Sequence, residues 1–179
     1  MAGGRERVEA AVLVPLHRGP DGELRVVLIE RTAHGRHGGQ LALPGGRREP
    51  GDRSPRETAI RETVEELGIP AASIVAVEDL PPVPTMTTDY LVTPVVGRLL
   101  STPAVWRPQP SEVASVLDVP VAALADPAAS GEQLMRLPRW PDPVAVPVIR
   151  LGDHQVWGLT LRILQPLLAR AMAGEFDPP

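Results

Sequence analysis

The sequence predicts an α/β domain, with strands on either side of one strongly marked helix. Three observations carry this. Two runs with near-continuous apolar centres, 7–17 (RVEAAVLVPLH) and 25–31 (RVVLIER), flank a Pro20-Asp21-Gly22 hairpin signal and read as strands buried on both faces. Between Ser54 and Gly68 the start and stop signals of a helix are complete. Beyond it, further apolar runs alternate with turn residues and close on a second amphipathic helix.

After the second strand, Arg31 to Gly46 (RTAHGRHGGQLALPGG) is polar and glycine-rich until Leu41-Ala42-Leu43, a short strand. The helix follows the Gly45-Gly46 pair and an acidic loop. Ser54 is the N-cap, Pro55 suits the first helical position, and Glu57 completes a capping box that satisfies orphan backbone donors. Gly68 and Pro70 end it. Ile60, Val64 and Leu67 fall together and are expected to be its buried face. Glu62, Glu65 and Glu66 lie within about 100° of each other on the opposite side.

Ser73 to Leu80 and Tyr90 to Leu99 read as the next strands, joined by PPVPTMTTD, a candidate substrate wall. A proline-rich connection, Ser101 to Pro110, leads to Glu112, a strand at Val113–Val119 and a short helix from Pro120. Asp126 to Pro143 is irregular, with a strand expected at Leu134–Leu137. Ala145–Leu151 and His154–Trp157 form a hairpin around Gly152-Asp153. The last helix, Leu159 to Ala173, presents Leu161, Ile163, Leu164, Leu167 and Leu168, and Pro166 is expected to kink or split it. No repeat is visible, so residues 1–179 are expected to form one domain, large enough for a real core.

Composition narrows the chemistry. The net charge of −4 gives no basic footprint for nucleic acid. There is no cysteine, which excludes disulfides, thiolate metal sites and cysteine nucleophiles. All 18 basic residues are arginine, so lysine-based catalysis is excluded, and the absence of asparagine excludes N-glycosylation. No apolar run has transmembrane length and the N-terminus lacks the apolar core of a signal peptide, so a cytoplasmic protein without a membrane partner is expected.

The three glutamates admit two readings. A solvated acidic face is one. Against it, Glu62 and Glu66 are a like-charged i,i+4 pair costing a few tenths of a kcal/mol, and Glu65 and Glu66 sit at the end of the helix where its dipole disfavours anions. A bound cation removes both penalties, and all-oxygen ligands suit Mg²⁺ or Mn²⁺.

The stretch Gly45 to Ile69 (GGRREPGDRSPRETAIRETVEELGI) resembles the Nudix box. Arg61, Glu62, Glu65, Glu66, Gly68 and Ile69 match it residue for residue, and Gly46 matches its opening glycine. Asp52, the spaced acid, is followed by eight residues before Arg61, one more than in the common box. That extra residue and the Asp-x-Ser pattern of Asp52 to Ser54 are similar to the coenzyme A diphosphatase branch. So are Arg31, Arg36, His37, Gly39, Gln40 and Leu43-Pro44-Gly45-Gly46 upstream, although Arg31 and Gly39 are one residue closer and Leu43 stands where that branch has phenylalanine. Val92–Leu99 and Val156–Thr160 extend the resemblance to most of the chain.

The resemblance implies the Nudix fold, a mixed β-sheet sandwiched between α-helices with a loop-helix-loop metal site. It implies that Glu62 and Glu66 bind Mg²⁺ or Mn²⁺, that Glu65 touches a further ion and that the Gly45 carbonyl adds a ligand. Arg61 would orient the acids by pairing with Asp52 or Glu49. Glu112 would supply a further metal contact or the base; read alone, it is an ordinary surface glutamate. Arg31 and Arg36 would clamp phosphate oxygens, with His37, Gln40 and Gly46 also on the substrate side; read alone, this segment is a glycine loop with solvated arginines, and His34 and His37 are structural. The implied activity is metal-dependent hydrolysis of a nucleoside diphosphate linked to another moiety. Coenzyme A is favoured, giving 3′,5′-ADP and 4′-phosphopantetheine, and ADP-ribose, dinucleotides or damaged nucleotides are the alternatives. A non-catalytic Nudix-fold binding module is the reading from another class; such modules lose box glutamates, and none is lost here. A homodimer is left open.

Overall fold

The computed structural model describes residues 7–32, 39–86, 88–103, 105–138 and 140–177. Strands β1 (Val8–Arg18) and β2 (Leu24–Arg31) form the expected hairpin, but they pair only beside the turn, Leu16–Arg18 against Leu24–Val26. Beyond that they splay apart. The gap is filled by β3 (Leu41–Ala42), which pairs with β2, and β4 (Gly45–Arg47), which pairs with Ala10–Val12 of β1. The Leu13 N–H donates to the Pro44 carbonyl at 2.8 Å, so the wedge is stitched to the sheet between its two short strands.

Helix α1 (Pro55–Leu67) follows the wedge, then β5 (Ile74–Asp79), β6 (Val83–Pro84) and β7 (Tyr90–Leu99). Strand β7 lies parallel to β1 from Val8/Tyr90 to Leu16/Arg98, which makes the sheet mixed. Strand β8 (Val113–Pro120) covers the other side of β2 and runs into α2 (Val121–Ala125). Strands β9 (Ser130–Met135), β10 (Val144–Leu151) and β11 (His154–Trp157) make a separate antiparallel sheet, and α3 (Gly158–Met172) closes the described architecture.

Strand alternation sends each central strand into two cores. Ala11, Leu13, Val27, Ile29 and Val95 pack with Ala59 and Leu67 of α1. Val14, Leu16, Val26, Leu28 and Val96 pack with Leu161, Ile163, Leu164 and Leu167 of α3, and with Ile149 and Val156 of the small sheet. The large sheet is therefore covered on both faces, as its apolar strand centres require.

Three sequence expectations are corrected. The strand expected at Leu134–Leu137 is β9, which begins at Ser130; it is an edge strand whose polar residues face water, so it shows little apolar signal. Of the two outcomes expected at Pro166, a kink or a split, the split does not occur: α3 is continuous from Gly158 to Met172. The Pro166 side chain lies on the exposed face of the helix. The third correction is rotational: the fully buried residues of α1 are Thr58, Ala59, Thr63, Glu66 and Leu67, while Ile60 and Val64 are only half-buried at its flank. Among the described residues no helix is long and apolar enough to cross a membrane.

Candidate functional site

The rotation of α1 builds the site. Thr58, Ala59 and Thr63 are small, so the helix lies close under the wedge and Glu66, 2% exposed, reaches the sheet. Its Oε2 accepts the Gly45 N–H at 2.8 Å. The double glycine is required by contact: a Cβ on Gly45, whose φ is 150°, would lie 2.3 Å from the Ala11 carbonyl oxygen. A Cβ on Gly46 would lie 2.5 Å from the Glu62 carboxyl carbon. Gly46 is thus the floor on which the Glu62 carboxylate rests.

The end of the helix is fixed as firmly. Ser54 Oγ accepts the Glu57 N–H, and Gly68 adopts φ 67° with its N–H on the Val64 carbonyl. A Cβ on Gly68 would also strike the Arg107 carbonyl at 2.4 Å, so the strap before β8 packs against this turn. That strap then binds the helix: the Gln109 N–H donates to the Glu66 carbonyl at 3.3 Å. The Thr32 N–H donates to the Glu112 carbonyl at 3.0 Å and the Thr32 hydroxyl to the Ser111 carbonyl at 3.3 Å. Glu112, exposed, is thereby held at the end of β2 beside Arg31.

Arg61 is the hub of the acidic loop. Its Nε and Nη2 donate to the two Asp52 oxygens at 3.1 and 3.0 Å, and Nη1 donates to Glu62 at 2.9 Å and Glu65 at 3.3 Å. Nη2 also bonds the Arg47 carbonyl at 3.1 Å. Asp52, 8% exposed, further accepts the Glu49 N–H at 2.9 Å and the Thr58 hydroxyl at 3.0 Å. Arg61, with help from the Glu49 amide and Thr58, holds the Asp52 carboxyl well below the usual carboxylate range; burial opposes them. The Arg61 guanidinium is stabilised in its charged form first by Asp52 and then by Glu62.

Two other carboxyls shift the opposite way. Burial pushes Glu66 up to about 7; the Gly45 N–H and Arg31 pull it back, and the charges of Glu62 and Glu112 push it further. Burial also raises Glu62, with Arg61 opposing and Glu65 and Glu112 adding to the rise. Glu62, Glu66 and Glu112 therefore share one electrostatic neighbourhood, although they come from sequence positions as far apart as β4's partner helix and the start of β8. Among the described residues the carboxylates are not closed into one ligand set: Arg61 holds Glu62 and Glu65, and the Gly45 amide holds Glu66.

Of the residues singled out from sequence, Glu62, Glu65, Glu66, Arg61, Gly45 and Gly46 meet around the wedge, with Glu112 and Arg31 alongside. Gln40 stands at the mouth of the same loop, its carbonyl accepting the Arg31 N–H at 3.1 Å. Arg36 and His37, with His34, lie outside the described residues. Sequence reasoning missed Thr58 and Thr32. Thr58 had a usable signal, since it precedes Arg61 by one helical turn and shares its face; Thr32 had none.

A family model described as the NUDIX domain matches residues 7–137. The uncharacterized Nudix hydrolase NudL of Escherichia coli K12 is 36% identical over 151 residues, covering 83% of this chain and 70% of the relative. NudL of Salmonella paratyphi B is 34% identical over 171 residues, covering 89% and 80%. Among solved structures, a Nudix hydrolase from M. smegmatis, RenU, aligns with a TM-score of 0.64 at 23% identity, covering 97% of this chain and 89% of that one. The NUDIX domain of Shewanella oneidensis NrtR, complexed with ADP ribose, aligns with a TM-score of 0.59 at 17% identity, covering 94% and 90%.

Proposed function

Because the chain belongs to the Nudix family of hydrolases, which act on pyrophosphate bonds with divalent metal ions, we propose that it cleaves a nucleoside diphosphate linked to another moiety, with coenzyme A or its derivatives as the favoured substrate. One observation carries the site: Glu62, Glu66 and Glu112 lie in each other's field around a glycine floor, and burial works against the charge of the two helix acids. Such a set fits a hard divalent ion. It is all oxygen, and its three carboxylates outnumber the two arginines beside them, Arg31 and Arg61.

Glu62, Glu66 and Glu65 would hold Mg²⁺ or Mn²⁺, with the Gly45 carbonyl as a further donor. The ion, when bound, supplies charge neutralisation for the diphosphate and acidifies water. The chain's own groups do the rest. Arg61 keeps Glu62 and Glu65 aimed from the Asp52 anchor. Glu112, exposed and with its backbone carbonyl bonded to the Thr32 N–H, would take a proton from water. Arg31 faces the same cluster and would bind diphosphate oxygens in the planar, paired fashion of guanidinium. The resemblance of the Arg31–Gly46 segment adds Arg36, His37, Gln40 and Gly46 as residues that would bind substrate. Residues 1–179 act in this as one domain.

Coenzyme A is favoured by the resemblance of the Arg31–Gly46 segment and by its arginines, since a 3′-phosphate needs a cation and the chain has no lysine. The test is a panel of coenzyme A, its 3′-dephospho form, ADP-ribose and dinucleotides with Mg²⁺ and Mn²⁺, with products identified by mass. Coenzyme A is expected to give 3′,5′-ADP and to be cleaved faster than the dephospho form. Equal rates on those two remove the 3′-phosphate reading, and faster cleavage of ADP-ribose moves the enzyme to another substrate class.

A further inference from the structure

We infer that Thr58 is a positioning residue for the metal site: its hydroxyl fixes Asp52, Asp52 fixes Arg61, and Arg61 fixes the Glu62 and Glu65 carboxylates. This rests on the reading of Glu62 and Glu66 as metal ligands. Thr58 is fully buried, which makes its hydroxyl costly unless bonded. It has two acceptors, the Asp52 Oδ2 at 3.0 Å and the Ser54 carbonyl at 3.4 Å, and the first is the better bond.

Geometry explains why the carboxylate needs this partner. The Asp52 side chain is nearly enclosed, 7% exposed, and its Oδ2 receives three donors: Arg61 Nη2, the Glu49 N–H and Thr58 Oγ1. Two of these come from α1, one turn apart on one helix face, and the third comes from the loop. The chain between Asp52 and Arg61 has eight residues, one more than the common box. Six of those eight, Pro55 to Ile60, lie in α1 itself, so Asp52 stands just before the helix and the Thr58 bond clamps it against the first turns. Arg61 then arrives with both donors of its fork occupied by Asp52, so its remaining Nη1 has one direction available, toward Glu62 and Glu65. Thr63, equally buried on the same helix, shows the contrast: its hydroxyl bonds only the Ala59 carbonyl within the helix and reaches no functional group.

Partners behind metal ligands typically change metal affinity or activity by about 10- to 100-fold when removed. The test is Mn²⁺ binding to the full chain by calorimetry, alongside hydrolysis as a function of metal concentration. Thr58→Val is expected to weaken Mn²⁺ binding by about tenfold and raise the metal requirement equally, with substrate KM little changed. Thr58→Ser, which keeps the hydroxyl, is expected to restore binding. In an Asp52→Asn background Thr58→Val is expected to have no further effect on binding, because both act through the same anchor. If the valine variant does not fold, Thr58→Ala carries the comparison with serine. A folded valine or alanine variant that binds Mn²⁺ as the wild type does, or full additivity with Asp52→Asn, overturns the inference. A wild type that binds no Mn²⁺ overturns the metal reading itself and the inference with it.

Discussion

Helices α1 and α3 cover opposite faces of the same sheet, and they bury different chemistry. The buried side of α3 is Leu161, Ile163, Leu164 and Leu167, with Thr160 the one polar residue among its buried positions. The buried side of α1 includes Thr58, Thr63 and Glu66 beside Ala59 and Leu67. One helix presents leucines to a core; the other presents a carboxylate to a glycine turn. Burial of α3 is ordinary apolar stabilisation. Burial of Glu66 costs stability, because an acid pushed up to about 7 by burial is one whose charge the fold disfavours. A cation bound beside Glu66, as proposed above, would offset that cost.

The sharpest way to break that contrast is Glu66→Gln. Glutamine keeps an oxygen to accept the Gly45 N–H and removes the charge. Hydrolysis in Mg²⁺ is expected to fall by about a thousandfold or more, while the metal-free protein melts at or above the wild-type temperature. Full turnover by the folded variant would mean that the buried acid is not part of the site, and a large loss in melting temperature would mean that it is structural after all.

The matching change on the other face is Leu164→Ala, at a position 3% exposed inside the α3 core. It is expected to cost about 2–5 kcal/mol in urea denaturation, with kcat of the folded enzyme unchanged. A drop in kcat comparable to that of Glu66→Gln would show that the two faces are not separate in function.

The same contrast explains what the sequence disclosed. Ser54, Pro55 and Gly68 marked α1 to its ends, since capping is local chemistry written in adjacent residues. The leucine stripe of α3 predicted its buried face for the same reason. For α1 the stripe rule chose Ile60, Val64 and Leu67; Leu67 is buried, but Ile60 and Val64 are only partly so, because rotation there is set by partners distant in sequence. Gly45, twenty-one positions before Glu66, supplies the amide that draws the acid inward, and small Thr58, Ala59 and Thr63 permit the approach. The wedge of β3 and β4 between splayed strands was likewise invisible, since it depends on which pairs β1 and β2 leave unmade. Glu112 became a neighbour of Glu66 only through the bonds of Thr32 and Gln109, which no local pattern announces.

The smallest expected effect concerns acid. Asp52 anchors the polar side of α1, and its carboxyl titrates below the usual range because Arg61, the Glu49 amide and Thr58 all favour the charged form. A depressed folded-state value contributes stability that is fully present above the unfolded value of about 3.9 and is lost as pH falls toward the folded one. Asp52→Asn removes that contribution. In metal-free protein the stability difference between wild type and Asp52→Asn is therefore expected to hold steady from neutral pH to about pH 5 and to shrink below about pH 4. The control lies on the other helix: the deficit of Leu164→Ala involves no titrating group and should keep the same size across that range. Urea denaturation at intervals from pH 7 to pH 3 measures both. A wild-type advantage over Asp52→Asn that stays constant to pH 3 would mean that Asp52 contributes shape rather than charge, and the two helix faces would then differ in composition without differing in how they respond to protons.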